Sequence, residues 1–204
     1  MDIGKSPEDL HITRHADTVS YEERCRILGQ RGIVVWLTGL SGSGKSTLAN
    51  LVSADLASRK KCAYILDGDN MRHGLCAGLG FSDEDRSENI RRIAEAAALF
   101  CDAGIIVIVS VISPRKAMRD NARRIIGDAH FFEIYVKADV AMCAKRDPKG
   151  LYGKAGDGEI SDFTGVSSPY EEPADPGLAV DTAHTTPEEA AKIILDFLIP
   201  KVTL

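Results

Sequence analysis

Residues 33–48 read Ile-Val-Val-Trp-Leu-Thr-Gly-Leu-Ser-Gly-Ser-Gly-Lys-Ser-Thr-Leu, an apolar run that turns abruptly into glycines and a lysine before a helical pattern begins. Few features limit a fold more tightly. Gly39 to Ser46 fill the spacing G-x-x-x-x-G-K-[ST] between a strand candidate and a helix candidate. Glycines let backbone N–H groups close around phosphate oxygens, Lys45 can reach the terminal phosphates, and the Ser46 hydroxyl can serve Mg²⁺. The stretch therefore demands a buried strand, a tight loop and a helix whose N-terminus faces an anion.

From Ile33 onward strand and helix patterns alternate, the signature of a parallel sheet covered on both faces. The strand candidates are Ile33–Thr38, Cys62–Leu66, Ile105–Ser110, Phe131–Val136 and Leu178–Asp181. Ser82 to Asp85 resembles a capping box opening a helix that carries Ile90, Ile93, Ala94, Ala97 and Cys101 on one face and stops at Gly104. Ser113-Pro114 and Thr186-Pro187 each predict an N-cap followed by proline at the first helical position, with Glu189 completing a second capping box. Residues 1–30 read as an N-terminal arm or short helix, amphipathic around Val19 to Leu28, and residues 31–204 as one domain. Residues 147–176 have little periodicity, and so long a stretch predicts a functional lid. Its Leu151, Tyr152, Ile160, Phe163 and Tyr170 need something to pack against.

Composition narrows the function classes. A chain of 204 residues with 44% hydrophobic and 27% charged residues is ordinary for one soluble domain with a real core. The net charge of -5 argues against a nucleic-acid or anionic-membrane binder, so any polyanion must meet a local positive field. Five scattered cysteines without C-x-x-C spacing predict neither a zinc site nor a disulfide framework, only small apolar side chains. The first residues lack a basic region followed by an apolar one, and no apolar run approaches the ~18 residues of a membrane span. A cytoplasmic protein is the expectation.

Past the second strand, Leu66-Asp67-Gly68-Asp69-Asn70 places two carboxylates at the sheet edge where open α/β folds bind ligands. One can take the proton of an attacking hydroxyl, and the other can hold the water shell of Mg²⁺. Arg72, Arg86, Arg91, Arg92 and Asn89 follow closely enough to supply the local positive field, and Arg86 and Asn89 can share a helix face.

These segments, together with Gly80-Phe-Ser, Arg-x-Glu-Asn-Ile-Arg-Arg-Ile, Ile112-Ser-Pro, Arg146-Asp-Pro-Lys-Gly-Leu-Tyr and Gly158-Glu-Ile-x-x-Phe-Thr-Gly, resemble the adenylyl-sulfate kinase (APS kinase) family, in order from about Ile12 to the C-terminus. The resemblance implies a P-loop nucleoside-kinase-like, three-layer α/β fold with a five-stranded parallel sheet, helices on both faces and a lid. It implies phosphorylation of the 3′-hydroxyl of adenosine 5′-phosphosulfate (APS) by MgATP, giving 3′-phosphoadenosine 5′-phosphosulfate (PAPS), in a homodimer. Association with an ATP sulfurylase is an open extension of it.

Residue by residue, the resemblance implies that Gly39, Leu40, Ser41, Gly42, Ser43, Gly44, Lys45, Ser46 and Thr47 cradle the ATP phosphates. Lys45 would track the moving phosphoryl group, Asp67 would be the base, and Ser46, Asp67 and Asp69 would surround the metal. Asp69, Asn70, Arg72, Arg86 and Asn89 would hold the acceptor's phosphosulfate and ribose, and Phe81 and Phe163 would sandwich its adenine. Ile112, Ser113, Lys149 and Asp162 would line the same pocket, with Arg146 and Thr185 at the ATP adenine end. Ser113 is also a candidate phosphoserine intermediate. No histidine stands nearby in the sequence to act as base, so direct in-line transfer is expected, with Ser113 as pocket residue and cap.

Some positions depart from the family. Arg14 stands where tryptophan is common, and Val111 and Arg115 replace commoner neighbours of Ile-Ser-Pro. The redox cysteine pair of plant members is missing, with Ala16 and Asn50 at the aligning positions. A P-loop kinase for another small hydroxyl acceptor is the alternative, and it would not need Phe81 and Phe163. The guanine-reading Asn-Lys-x-Asp of regulatory GTPases does not occur in the chain.

Overall fold

Every residue of Ile33–Thr38 (β1) is buried, so this strand must sit at the centre of a sheet. The computed structural model, which describes residues 13, 15, 17–147, 150–160 and 162–204, places it there. Ala63–Asp67 (β2), Ile106–Ser110 (β3), Phe131–Lys137 (β4) and Leu178–Asp181 (β5) complete five parallel strands in the order β2-β3-β1-β4-β5. Strand β1 pairs with β3 through Val35 and Ile108 and with β4 through Leu37 and Ile134.

The alternation along β1 divides the core. Ile33, Val35 and Leu37 face Lys45–Ser58 (α2) and Pro187–Val202 (α8), where Leu48, Val52, Leu56, Ile194 and Leu198 close one apolar layer. Val34 and Trp36 face Asp83–Asp102 (α4) and Lys116–Ile126 (α5), which bring Ile90, Ile93, Ala97, Met118 and Ala122. Each such Leu or Ile contributes about 1.5–3 kcal/mol through its removal from water, and this burial is what holds the helices on both faces of the sheet.

Two of the predicted helix starts hold in different degrees. Thr186 caps α8 with Glu189 in a full capping box, as expected. Ser82 caps α4 through the Asp85 N–H, but the Asp85 carboxylate accepts from the Gly80 N–H instead of returning to Ser82. The Ser113-Pro114 cap does not form. Helix α5 begins at Lys116 behind Arg115, and the Lys116 N–H is met by the Glu171 carboxylate at 2.7 Å. Ser113 lies in a left-handed turn, φ 41°, with its hydroxyl turned into the core.

The short helix expected of the N-terminal arm is present, and a helix inside the expected lid escaped the sequence reading. Tyr21–Leu28 (α1) has its own capping box from Ser20 and Glu23, and docks on the end of α4 through the Arg24 guanidinium and the Asp102 carbonyl at 2.7 Å. Leu151–Gly156 (α7) lies inside the expected lid. The lid's Leu151, Tyr152, Ile160, Phe163 and Tyr170 pack with Leu40, Ala138 and Cys143 in a third apolar cluster beside the glycine loop. The short helices Gly68–Arg72 (α3) and Val140–Arg146 (α6) follow β2 and β4. Cys25, Cys76, Cys101 and Cys143 are buried and Cys62 is exposed, all as free thiols.

Candidate active site

The loops at the carboxyl ends of the strands enclose a cleft of about 970 Å³. Such an edge is where a parallel sheet presents its ligand sites, because helix N-termini and strand ends converge there. The glycine loop forms one wall. Gly39, at φ 153°, lies so close to β4 that a Cβ would stand 2.4 Å from the Val136 carbonyl, so no larger residue fits. Gly42 would meet the Cys143 carbonyl at 2.9 Å. Helix α2 begins behind Gly44 without a side-chain cap, and a helix N-terminus of this kind is suited to an anion. Lys45, 8% exposed, folds its ammonium over the loop, donating to the Gly39 carbonyl at 2.9 Å and the Leu40 carbonyl at 2.6 Å.

The two carboxylates of the second strand's end occupy the middle of the cleft. Ser46 donates its hydroxyl to Asp67 Oδ2 at 2.7 Å and sits 3.2 Å from the Ser110 hydroxyl, while Asp67 Oδ1 accepts from the Asp69 N–H at 3.1 Å. This hard-oxygen donor set suits Mg²⁺, which favours one or two carboxylates completed by water and phosphate. Among the described residues no cluster of three or more His, Cys, Asp or Glu could hold a metal ion by itself.

The opposite wall is built from side chains. Arg86, 9% exposed, donates to the carbonyls of Phe81 at 2.8 Å and Asp162 at 2.6 Å. Burial, reinforced by Arg72, holds its guanidinium below the usual arginine value, yet it remains cationic at any ordinary pH. Arg72 donates to the Leu79 and Gly80 carbonyls and lies 4.4 Å over the Phe81 ring. Phe81 is 56% exposed whereas Phe163 is 8% exposed, meeting Tyr152 edge to face at 4.9 Å. Asn89 shares the buried face with Arg86, and its Oδ1 has no hydrogen-bond partner among the described residues.

Of the residues singled out from sequence, the cleft collects Ser41, Gly42, Gly44, Lys45, Ser46, Thr47, Asp67, Asp69, Arg72, Phe81, Arg86, Asn89, Ile112, Ser113, Arg146, Asp162, Phe163 and Thr185. Gly39, Leu40 and Ser43 shape the loop from behind, and exposed Asn70 is not in the lining. Lys149, like Arg14 and Ala16, lies outside the described residues. Arg146 turns its guanidinium onto Thr182, reaching Oγ1 at 3.1 Å as well as the carbonyl. Sequence reasoning passed over Ser110 and Thr182, which also line the cleft. Their position at the carboxyl ends of the third and fifth strands was the available signal.

A sequence model of the adenylylsulphate kinase family matches residues 31–181. The chain belongs to the adenylylsulphate kinase family. It is 54% identical over 188 residues to a probable adenylyl-sulfate kinase of Halalkalibacterium halodurans, spanning 92% of this chain and 93% of that one. It is 49% identical to the adenylyl-sulfate kinase of Shewanella amazonensis, over 93% of this chain and 96% of the relative. The APS kinase of Mycobacterium tuberculosis, solved in complex with AMPPNP and APS, superposes with a TM-score of 0.80 at 48% identity, covering 83% of this chain and 98% of that one. The fold expected from the family resemblance, a five-stranded parallel sheet between helices, is the one observed.

Proposed function

We propose that this adenylylsulphate kinase family member transfers the γ-phosphate of ATP, with Mg²⁺, to the 3′-hydroxyl of adenosine 5′-phosphosulfate, yielding PAPS and ADP in sulfate activation. One observation carries the reading: a single cleft runs from the glycine loop across Asp67 to Phe81, Arg86 and Phe163. Donor and acceptor thus meet end to end at a carboxylate. Loose phosphoryl transfer needs chiefly this alignment and charge stabilisation.

In this scheme the N–H groups of the loop and Lys45 hold the ATP phosphates, and Asp67 takes the proton of the attacking hydroxyl. Ser46, Asp67 and Asp69 would hold Mg²⁺, which supplies charge neutralisation on the phosphates. Arg72, Arg86 and Asn89 hold the acceptor's phosphosulfate and ribose, with Asp69, Asn70, Ile112, Ser113, Lys149 and Asp162 around the same end, and the two phenylalanines stack its adenine. Arg146 and Thr185 flank the ATP adenine end. Residues 31–204 act as the kinase domain, with residues 147–176 as its lid and residues 1–30 as an arm. A homodimer in the cytoplasm, open to association with ATP sulfurylase, completes the reading. No described helix is long and apolar enough to cross a membrane.

Direct transfer is supported by the Ser113 environment. Its hydroxyl donates to Thr38 Oγ1 at 2.9 Å and accepts from Trp36 Nε1 at 3.1 Å, while Thr38 in turn donates to the Ile112 carbonyl. The proton of Ser113 is committed to Thr38, with no base to remove it. A coupled assay with MgATP and either APS, adenosine 5′-monophosphate or gluconate tests the function. Phosphorylation of APS alone is expected, and preference for gluconate would favour a sugar-acid kinase on the same fold.

A further inference from the structure

Two carbonyls that shape the glycine loop are held by side chains from elsewhere in the fold, one just past β5 and one on α7. Thr182 donates to the Ser43 carbonyl at 2.9 Å, and Tyr152 donates its hydroxyl to the Ser41 carbonyl at 2.9 Å. Tyr152 is aimed by its own helix start, since the Asp147 carboxylate accepts from the Leu151 N–H at 2.8 Å and the Tyr152 N–H at 2.9 Å. The other side of the Tyr152 ring meets Phe163 at 4.9 Å with an interplanar angle of 82°. Leu40, beside Ser41, packs in the same cluster as both rings. A Cβ on Gly165 would stand 2.9 Å from Leu40 Cδ2, so the chain just past Phe163 also rests on the loop. One buried, close-packed aromatic therefore bridges the wall that faces phosphate and the ring that faces the acceptor. Through these two contacts a shift of the Ser41 carbonyl would be felt at Phe163.

We propose that Tyr152 is a positioning residue that couples the two ends of the cleft, so that phosphates in the glycine loop and a base on Phe163 strengthen each other's binding. The inference rests on the functional reading above, in which Phe163 stacks the acceptor base. Coupling of this kind is reciprocal, so it can be read from either ligand. The experiment titrates APS calorimetrically into the full chain, alone and saturated with AMPPNP, for wild type, Tyr152→Phe and Phe163→Ala. AMPPNP is expected to tighten APS binding to wild type by about fivefold or more. Tyr152→Phe keeps the ring on Phe163 but loses the bond to Ser41, so this ratio falls toward one while the affinity without nucleotide stays close to wild type. A purely structural role would weaken both titrations equally and preserve the ratio, which overturns the proposal, as does a wild-type ratio of one. If Phe163→Ala leaves APS affinity unchanged, the stacking role fails and the coupling with it. If that variant loses APS but Tyr152→Phe keeps the wild-type ratio, the coupling alone is wrong.

Discussion

The two walls of the cleft are built on different principles. The wall proposed for the phosphate donor is one continuous segment, Gly39 to Thr47, made of backbone and held in shape by Lys45, Thr182 and Tyr152. The wall proposed for the acceptor gathers Arg72, Phe81, Arg86, Ile112, Asp162 and Phe163 from separate parts of the chain, and it presents side chains. Backbone N–H groups recognise any phosphate, so in the proposed reading the donor wall would confer binding without much selectivity. Selectivity for the acceptor has to come from stacking faces and cations placed by the fold. Within the acceptor wall the contrast repeats: Phe163 is part of an apolar cluster, and Phe81 stands in solvent against Arg72.

The sharpest test falls on the seam between the walls. Asp67→Asn keeps the shape and one of the two acceptor oxygens that meet the Ser46 hydroxyl and the Asp69 N–H, but removes the proposed base, so kcat should fall by about two to four orders of magnitude. ATP affinity, measured by titration without Mg²⁺, should hardly change. If the variant turns over normally, the walls do not meet at Asp67.

The next test separates the two aromatics. Alanine at Phe81 or Phe163 should weaken APS binding by roughly 1–3 kcal/mol, the scale of base stacking on an aromatic. Phe163→Ala should in addition lower folding stability by about 3 kcal/mol, since it empties a packed site. Phe81→Ala should unfold with a midpoint close to wild type. Equal stability losses would show that both rings serve packing. Weakened ATP with unchanged APS would show that the walls have been assigned the wrong way round.

The smallest effect on activity is expected at Ser113. Ser113→Ala leaves the buried Trp36 Nε1 without its acceptor, so stability should drop by about 1–3 kcal/mol while most activity survives. Trapping of ³²P on Ser113 from labelled ATP, followed by transfer to added APS at a competent rate, would overturn direct transfer.

Much of the fold was legible because it is written in neighbouring residues. All five strands lie within one residue of their expected bounds, and the Thr186 cap is as read, because strand burial and capping depend on a few adjacent positions. Helix α7 was hidden by its own composition: Gly153 and Gly156 weaken any helical signal, and the Asp147 carboxylate that stabilises its first turn is supplied from outside the helix.

The chain's sequence by itself determined the glycine loop, the parallel sheet and the family, since each rests on residue types at fixed short spacings. Only the tertiary structure decided what the polar side chains hold. Ser113 reads as a helix cap, yet Trp36, 77 positions away, claims its oxygen. Tyr152 reads as one more lid aromatic, yet it fixes a loop carbonyl 111 positions away. A buried hydroxyl takes whichever partner the packed core brings within 3 Å, and local sequence carries no record of that partner.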